Sequence, residues 1–433
     1  MSPQILAFDI SPISILFICI SAICAVFLLV FYRAKIARIA SHQKDCQPTI
    51  IKNNIPEVEE EVLEEENHNS AFVLDFEAEV PETSILLPPL PNASVIVYSN
   101  DEATNLASLL PQILKQNYPA QFEVIVVNDG SAESTSDIVS ELQLSYSNLY
   151  LTYTPDRSRN LSRKKLALTI GIKAARYEIV VCVNANSRIN SPHWLSLMTR
   201  NFNDGTDVVI GYATPDAAKD TYRGRRYRAF DRAAEAVTYL SAAIGNAPFR
   251  GFSYNLAYRR ECFFNNKGFS RSLNLHFGDD DVFINEITTS RNTVVELSED
   301  SIVECCFYHP VKSHNELKRR YNYTAKYLRK NASLFFGACS CATWIWFLSS
   351  IFAILASLPD LISTIFVLSA ITILSLILWI PLIFTWRKAL TALKARRLML
   401  TIPWFMLFRP FHNAYYKIKN KIYYRRNHTW LKK

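Results

Sequence analysis

From Arg387 to Lys433 the chain contains no aspartate or glutamate, and residues 13–32, 335–358 and 361–386 carry no charge of either sign. None of the nine cysteines forms a Cys-x-x-Cys pair. No histidine pattern accompanies them, which argues against a structural zinc site and leaves them as reduced, packed residues. No internal repeat is visible. No nucleic-acid recognition motif accompanies the net charge of +8, so nucleic acid is not an expected partner.

The uncharged runs are the first positive signal, in a chain that is 49% hydrophobic. A helix needs roughly 20 apolar residues to cross a bilayer core at about 1.5 Å per residue, and each run reaches that length. A cleaved signal peptide is the rival for the first run. Its N-terminus is not basic, however, and the positives Arg33, Lys35 and Arg38 follow it. By the positive-inside rule the segment after Tyr32 is cytoplasmic. Pro359-Asp360 separates the other two runs as the turn of a helical hairpin, and Arg387, Lys388, Lys394, Arg396 and Arg397 mark its cytoplasmic end. The basic tail beside a span is suited to an anionic leaflet. The expected divisions are an anchor at 1–33, an acidic, Pro-ended linker at 34–91, an α/β domain at 92–330, a hairpin at 335–386 and a basic juxtamembrane tail at 387–433. Within the linker, residues 72–76 read as one short amphipathic turn.

From Ala93 the pattern alternates. Residues 94–98, 122–127, 149–153 and 179–183 read as buried strands. Leu106, Leu109, Leu110, Ile113 and Leu114 recur at helical spacing, and helices are expected near 135–144 and 164–175. Alternating strands and helices predict a mostly parallel sheet covered on both faces, with ligands beyond the C-terminal strand ends. Asn100-Asp101-Glu102, Asn128-Asp129-Gly130-Ser131 and Asn184-Ala185-Asn186 all fall there. Asp129 can accept a hydrogen bond from a base or ribose, or it can cap a turn. Arg163 and Lys164 can pair with diphosphate oxygens or stay solvated. Three adjacent carboxylates, Asp279, Asp280 and Asp281, repel one another, which raises at least one pKa if they are confined. That suits a general base, although a helix N-terminus also favours acids. His276, His309 and His314 show no ligand spacing.

Over residues 92–330 the sequence resembles the family 2 glycosyltransferases, which have the GT-A fold, in their membrane-anchored bacterial type. Four markers carry the resemblance in order: Asn100-Asp101-Glu102; Gln116-Asn117-Tyr118-Pro119 followed by residues 123–131; Arg163-Lys164-Lys165-Leu166-Ala167-Leu168; and Gly278-Asp279-Asp280-Asp281. It implies a Rossmann-like, mostly parallel α/β domain. The implied reaction is inverting transfer of a sugar from a UDP- or GDP-linked donor to a lipid-linked or envelope-glycan acceptor. Asn100, Glu102, Asp129, Gly130, Arg163, Lys164, Asn184 and Asn186 would contact the nucleotide sugar. Asp280 would be the base and Asp279 would help to hold the acceptor. Asp281, Arg319 and Arg320 would face the acceptor or the diphosphate. The implied setting is the inner (plasma) membrane, with membrane lipids as neighbours and the domain on the cytoplasmic side.

Two departures stand out. The family's Asp-x-Asp reads Asn184-Ala185-Asn186, so Asn186 replaces the carboxylate that would hold Mg²⁺ or Mn²⁺. Its Gln-x-x-Arg-Trp reads Leu317-Lys318-Arg319-Arg320-Tyr321. These changes keep a second reading open, a catalytically weakened or non-catalytic binding protein on the same fold.

Overall fold

The computed structural model describes residues 11–48, 50–51, 84–85, 88–130, 133–155, 162–216, 220–395, 398 and 400–427. The turn expected at residues 72–76 lies outside them. The first apolar run is α1 (Pro12–Phe27), which continues through one π turn (Leu28–Tyr32) into α2 (Arg33–Asp45). The linker expected from residue 34 therefore begins as helix. Ile36 and Ile39 stand three apart on one face and are fully buried, although Arg33, Lys35 and Arg38 dominate the local composition. Farther on, β1 (Ile50–Ile51) pairs antiparallel with β2 (Ser84–Ile85).

The alternation follows as expected: β3 (Ala93–Ser99), α3 (Ala103–Leu114), β4 (Phe122–Asn128), α4 (Glu133–Gln143), β5 (Leu149–Tyr153), α5 (Arg163–Ala174) and β6 (Ile179–Asn184). Successive residues of β3 and β4 are buried whichever way they point, because helices cover both faces of the sheet. Next come β7 (Ser187–Arg188), α6 (Trp194–Thr199), β8 (Val208–Ile210), β9 (Ala213–Pro215), α7 (Arg225–Ile244), β10 (Leu256–Arg259), α8 (Arg260–Asn265), α9 (Asp281–Ile287), β11 (Thr293–Val295), β12 (Val303–Cys305) and α10 (Pro310–Thr324). The seven-stranded sheet has the order β11-β8-β10-β6-β3-β4-β5. Its pairs are parallel except those of β10, which runs against β6 and β8. The parallel run of β3, β4 and β6 brings their C-terminal ends to one edge, where open α/β sheets place ligands. A smaller sheet joins β7, β12 and β9.

The chain ends in α11 (Asn331–Ser357), α12 (Leu361–Ala392) and α13 (Ile402–Asn427). The α1–α2 helix, α11 and α12 are long and apolar enough to cross a membrane. Asp360 caps α12 by accepting from the Ser363 amide at 2.8 Å, which closes the expected hairpin. Large aliphatics such as Ile23, Leu361 and Ile373 point outward. Small residues face inward: the Ser21 hydroxyl lies 2.6 Å from that of Ser349, and Ala25 and Ala353 are fully buried. Close approach through small residues is how helices pack where no hydrophobic effect drives them together. The tail expected after residue 386 is largely helix as well, since α12 runs to Ala392 and α13 follows.

One face of the sheet packs on α3 and α6, through Leu106, Leu110, Trp194 and Met198. The other packs on α5, α7 and α9, and this core continues without a gap into Ile36, Ile39, Leu382 and Trp386. The α/β domain thus rests directly on the apolar helices and does not hang from them on a tether.

Candidate functional site

At the C-terminal ends of β3, β4 and β6 lies a cavity of about 520 Å³, walled by the loops that the sequence marked. Two further cavities beside α7 hold only about 40 Å³ each and touch none of those strand-end loops. A nucleotide-sized ligand needs roughly 300 Å³ or more; a cavity of about 350 Å³ between α5 and α8 also reaches that size but touches none of the strand-end loops at 100–102, 128–130 and 184–186, which selects the first.

On one side of it stands Asp129, buried after β4. Its carboxylate accepts from the hydroxyls of Tyr98 at 2.9 Å and Thr154 at 2.6 Å and from Arg163 Nε at 2.9 Å. Asn100 donates to the Asp129 carbonyl at 2.7 Å. Gly130 follows at φ +70°, and a Cβ there would lie 2.6 Å from the Arg163 guanidinium. Glycine at this position therefore allows both the turn and the Arg163–Asp129 pair. Asp129 is thus both a turn organiser and a cavity wall, with most of its acceptor capacity taken by the protein.

The opposite wall carries the acidic motif. Gly278 turns the chain at φ +104° and Asp279 enters the cavity between two cations, with Lys164 Nζ and Arg320 Nη2 each at 3.0 Å. Lys164 also donates to Ser253 Oγ at 2.7 Å. Burial pushes the Asp279 carboxyl up, but the two cations outweigh it and hold the group well below the usual carboxylate range. Asp280 lies one layer in, 3.5 Å from Arg320, and caps α9 by accepting from the Asp281 amide at 2.8 Å. Asp281 is behind both and accepts from the Thr324 hydroxyl. Burial, then the charge of Asp280, pushes its carboxyl up to about 6. Repulsion within the triplet was expected to raise one member, and the raised member is the one farthest from the cavity.

Of the expected site residues, Asn100, Glu102, Asp129, Arg163, Lys164, Asn184, Asn186, Asp279 and Arg320 line the cavity. Arg319 does not: its carbonyl accepts from Asn420 of α13 at 3.4 Å. Lys318, which precedes Arg319 in the same basic run, does not line the cavity either. It is buried against Asp231 and Glu235 of α7. Alternate residues of a helix point to different sides, so a basic run on α10 cannot act as one patch.

His276, Phe277 and Glu316 also line the cavity, beside Tyr254, and were not expected there. Glu316 had a legible signal, since it stands four residues before Arg320 on the same helical face. Lys165 had none. It is 1% exposed and donates to the carbonyls of Ser272, Leu275 and Phe277, the last two at 3.0 Å. An ammonium gripping three carbonyls fixes the loop that delivers Asp279 and Asp280.

A divalent cation fits this donor set poorly. The residues at the metal position, Asn184 and Asn186, give neutral oxygens, and both interact with the Tyr254 hydroxyl. Two of the wall carboxylates, Asp129 and Asp279, already hold cationic side chains. Among the described residues no three His, Cys, Asp or Glu side chains converge as a metal group. Mg²⁺ and Mn²⁺ favour several converging anionic oxygens; here the metal-position oxygens are neutral, Asp129 and Asp279 are paired with cations, and the remaining wall carboxylates, Glu102 and Glu316, belong to no three-ligand group among the described residues.

Comparison with known proteins agrees with the motif order. The family model described as glycosyl transferase family 2 matches residues 94–273. The putative glycosyltransferase EpsH of Bacillus subtilis (strain 168) is 29% identical over 175 residues, 39% of this chain and 47% of EpsH. A poly-beta-1,6-N-acetyl-D-glucosamine synthase of Staphylococcus epidermidis is 30% identical over 97 residues, 22% of each chain. The matched stretches thus span about half of the first relative and about a fifth of the second. Among solved structures, a mannosyltransferase from Pyrobaculum calidifontis, in complex with GDP-Man and Mn²⁺, aligns with 71% of this chain and 86% of its own, at TM-score 0.45 and 18% identity. Residues 94–273 of the α/β domain are thus similar to glycosyl transferase family 2, with the strand-end loops inside that span and the acidic motif just beyond it.

Proposed function

We propose that the protein is a membrane-bound glycosyltransferase that transfers a sugar with inversion from a UDP- or GDP-linked donor to a lipid-linked or envelope-glycan hydroxyl. The observation that carries this reading is the strand-end cavity in which Asp279 lies between Lys164 and Arg320, with Asp280 directly behind. The acceptor oxygen attacks the anomeric carbon, the bond from that carbon to the diphosphate oxygen breaks, and the acceptor proton passes to a carboxylate. Asp279 is a weak base because two cations depress it, so the base is Asp280. The leaving diphosphate gains negative charge as the bond breaks, and Arg163, Lys164 and Arg320 neutralise it by exchanging their internal carboxylates for phosphate oxygens. This route uses no metal.

The cytoplasmic placement rests on the positives that follow Tyr32 and Trp386. In intact cells an impermeant thiol reagent is expected to label a cysteine introduced beside Asp360 and not one introduced beside Asp129. Labelling at the second site from outside contradicts this placement. The activity is tested by incubating the full chain in detergent with a panel of UDP- and GDP-sugars and following release of nucleoside diphosphate. Slow hydrolysis of one donor is expected. The second reading, a non-catalytic binding protein, draws on the neutral Asn184-Ala185-Asn186 and on Leu317, and it predicts binding with no release from any donor.

A further inference from the structure

The helix α13 carries a second apolar stripe that faces away from the protein. Its outer face carries Trp404, Phe408, Phe411, Tyr415 and Ile418, spaced by four, three, four and three residues, and each is more than half exposed. Its inner face is mixed: Ile402, Phe405, Met406 and Leu407 pack inward over its first turns, and polar contacts take over beyond them. Arg409 donates to Asp231 and Glu235 at 2.9 Å each, and the Asn413 side-chain oxygen accepts from Lys318 at 2.9 Å. A surface helix normally turns its apolar stripe inward. The occupant that fits an outward stripe here is a bilayer surface. The helix follows directly on two spans, Trp344 of α11 donates to its Leu407 carbonyl at 3.0 Å, and no acidic residue occurs after Arg387.

The inner face meets the site. Asp231 is fully buried on α7, and Lys318 of α10 and Arg409 of α13 bind it from two sides, at 2.6 Å and 2.9 Å. Two residues beyond Lys318, the same helix α10 presents Arg320 to Asp279 and Asp280. Burial pushes the Asp231 carboxyl up, and Lys318, Arg409 and His314 more than reverse this, so the anion stays charged. Removing one cation from a buried group of this kind leaves uncompensated charge, and the helix that supplied it loses its anchor.

We propose that α13 lies stripe-down in the interface of an anionic leaflet and there, through the shared Asp231–Glu235 pair, holds α10 so that Arg320 stays at the diphosphate position. The positioning half rests on the glycosyltransferase reading; the seating half does not.

The test uses the full chain in nanodiscs of phosphatidylcholine with and without phosphatidylglycerol. Photoreactive p-benzoylphenylalanine replaces Phe408 or Phe411, and a control chain carries it at the exposed Tyr308 of the α/β domain. Phospholipid adducts at 408 and 411, richer in phosphatidylglycerol and absent at 308, are expected. Crosslinked dimers of the chain, or adducts no more abundant than at 308, overturn the seating. In parallel, Arg409→Gln is expected to raise KM for the donor about tenfold, with Arg409→Lys restoring it, as loss of one charged contact predicts. An unchanged KM in Arg409→Gln, with lipid adducts intact, overturns the coupling. If the parent chain shows no turnover, nucleoside diphosphate affinity of the same variants is read instead. Absence of that binding in the parent refutes the glycosyltransferase reading, and with it the positioning half, while the adducts still decide the seating.

Discussion

Asp280→Asn is expected to lower turnover by about 10²-fold or more and to leave nucleoside diphosphate affinity unchanged. The substitution is clean because of the local geometry. Asp280 caps α9 through an oxygen that accepts from the Asp281 amide, and asparagine keeps such an oxygen and is an equally good cap. The fold around the motif therefore survives, and what is lost is basicity and the longer, 3.5 Å charge pair with Arg320, whose closer partner Asp279 remains. Asp279→Asn is a different experiment, since it releases Lys164 and Arg320 from their internal anion. It is expected to tighten diphosphate binding. Rate measurements on both variants, with a nucleotide titration of each, separate a base from an ion-pair partner. Equal loss of nucleotide affinity in Asp280→Asn points to a structural role, and an unchanged rate removes Asp280 from the chemistry.

Lys164→Ala is expected to weaken nucleoside diphosphate binding by about 10- to 100-fold, the worth of one charge-assisted contact of roughly 1.5–3 kcal/mol. Chelation is expected to change nothing in the parent chain, because the cradle is made of side chains. The double variant Asn184→Asp, Asn186→Asp inverts this behaviour. Two carboxylates facing a diphosphate repel it, so binding in chelator falls, and Mn²⁺ then restores it by bridging anionic oxygens on both sides. Calorimetric titration with and without Mn²⁺ reads each case. A parent chain that already requires Mn²⁺ contradicts the cradle.

Much of the fold was legible because its elements are locally self-consistent. The strands at Val95–Val97 and Val124–Val127 are Val/Ile runs bounded by polar loops, and parallel burial needs little more than that. The cavity was legible for the same reason, since its walls are those loops. Other features depend on partners far away in the chain. Nothing near Lys318 says that Asp231, 87 residues earlier, takes its charge. Nothing near Lys165 tells it apart from Lys164, yet one grips the carbonyls of a distant loop and the other enters the cavity. The helix α2 was hidden by its own charges, because Ile36 and Ile39 have meaning only against α7 and α12. In α13 the stripe of five large apolar residues was present in the sequence but interleaved with basic ones, and charge counting alone reduced it to a tail.

The central claim is that this cavity binds a nucleoside diphosphate through Arg163, Lys164 and Arg320 without a metal. Isothermal titration of the purified full chain with UDP and with GDP, in EDTA and again in Mn²⁺, measures it directly. One nucleotide is expected to bind equally well under both conditions and to lose affinity in Lys164→Ala. Binding that appears only with Mn²⁺ contradicts the metal-free cradle, and no binding of either nucleotide under either condition contradicts the glycosyltransferase reading itself.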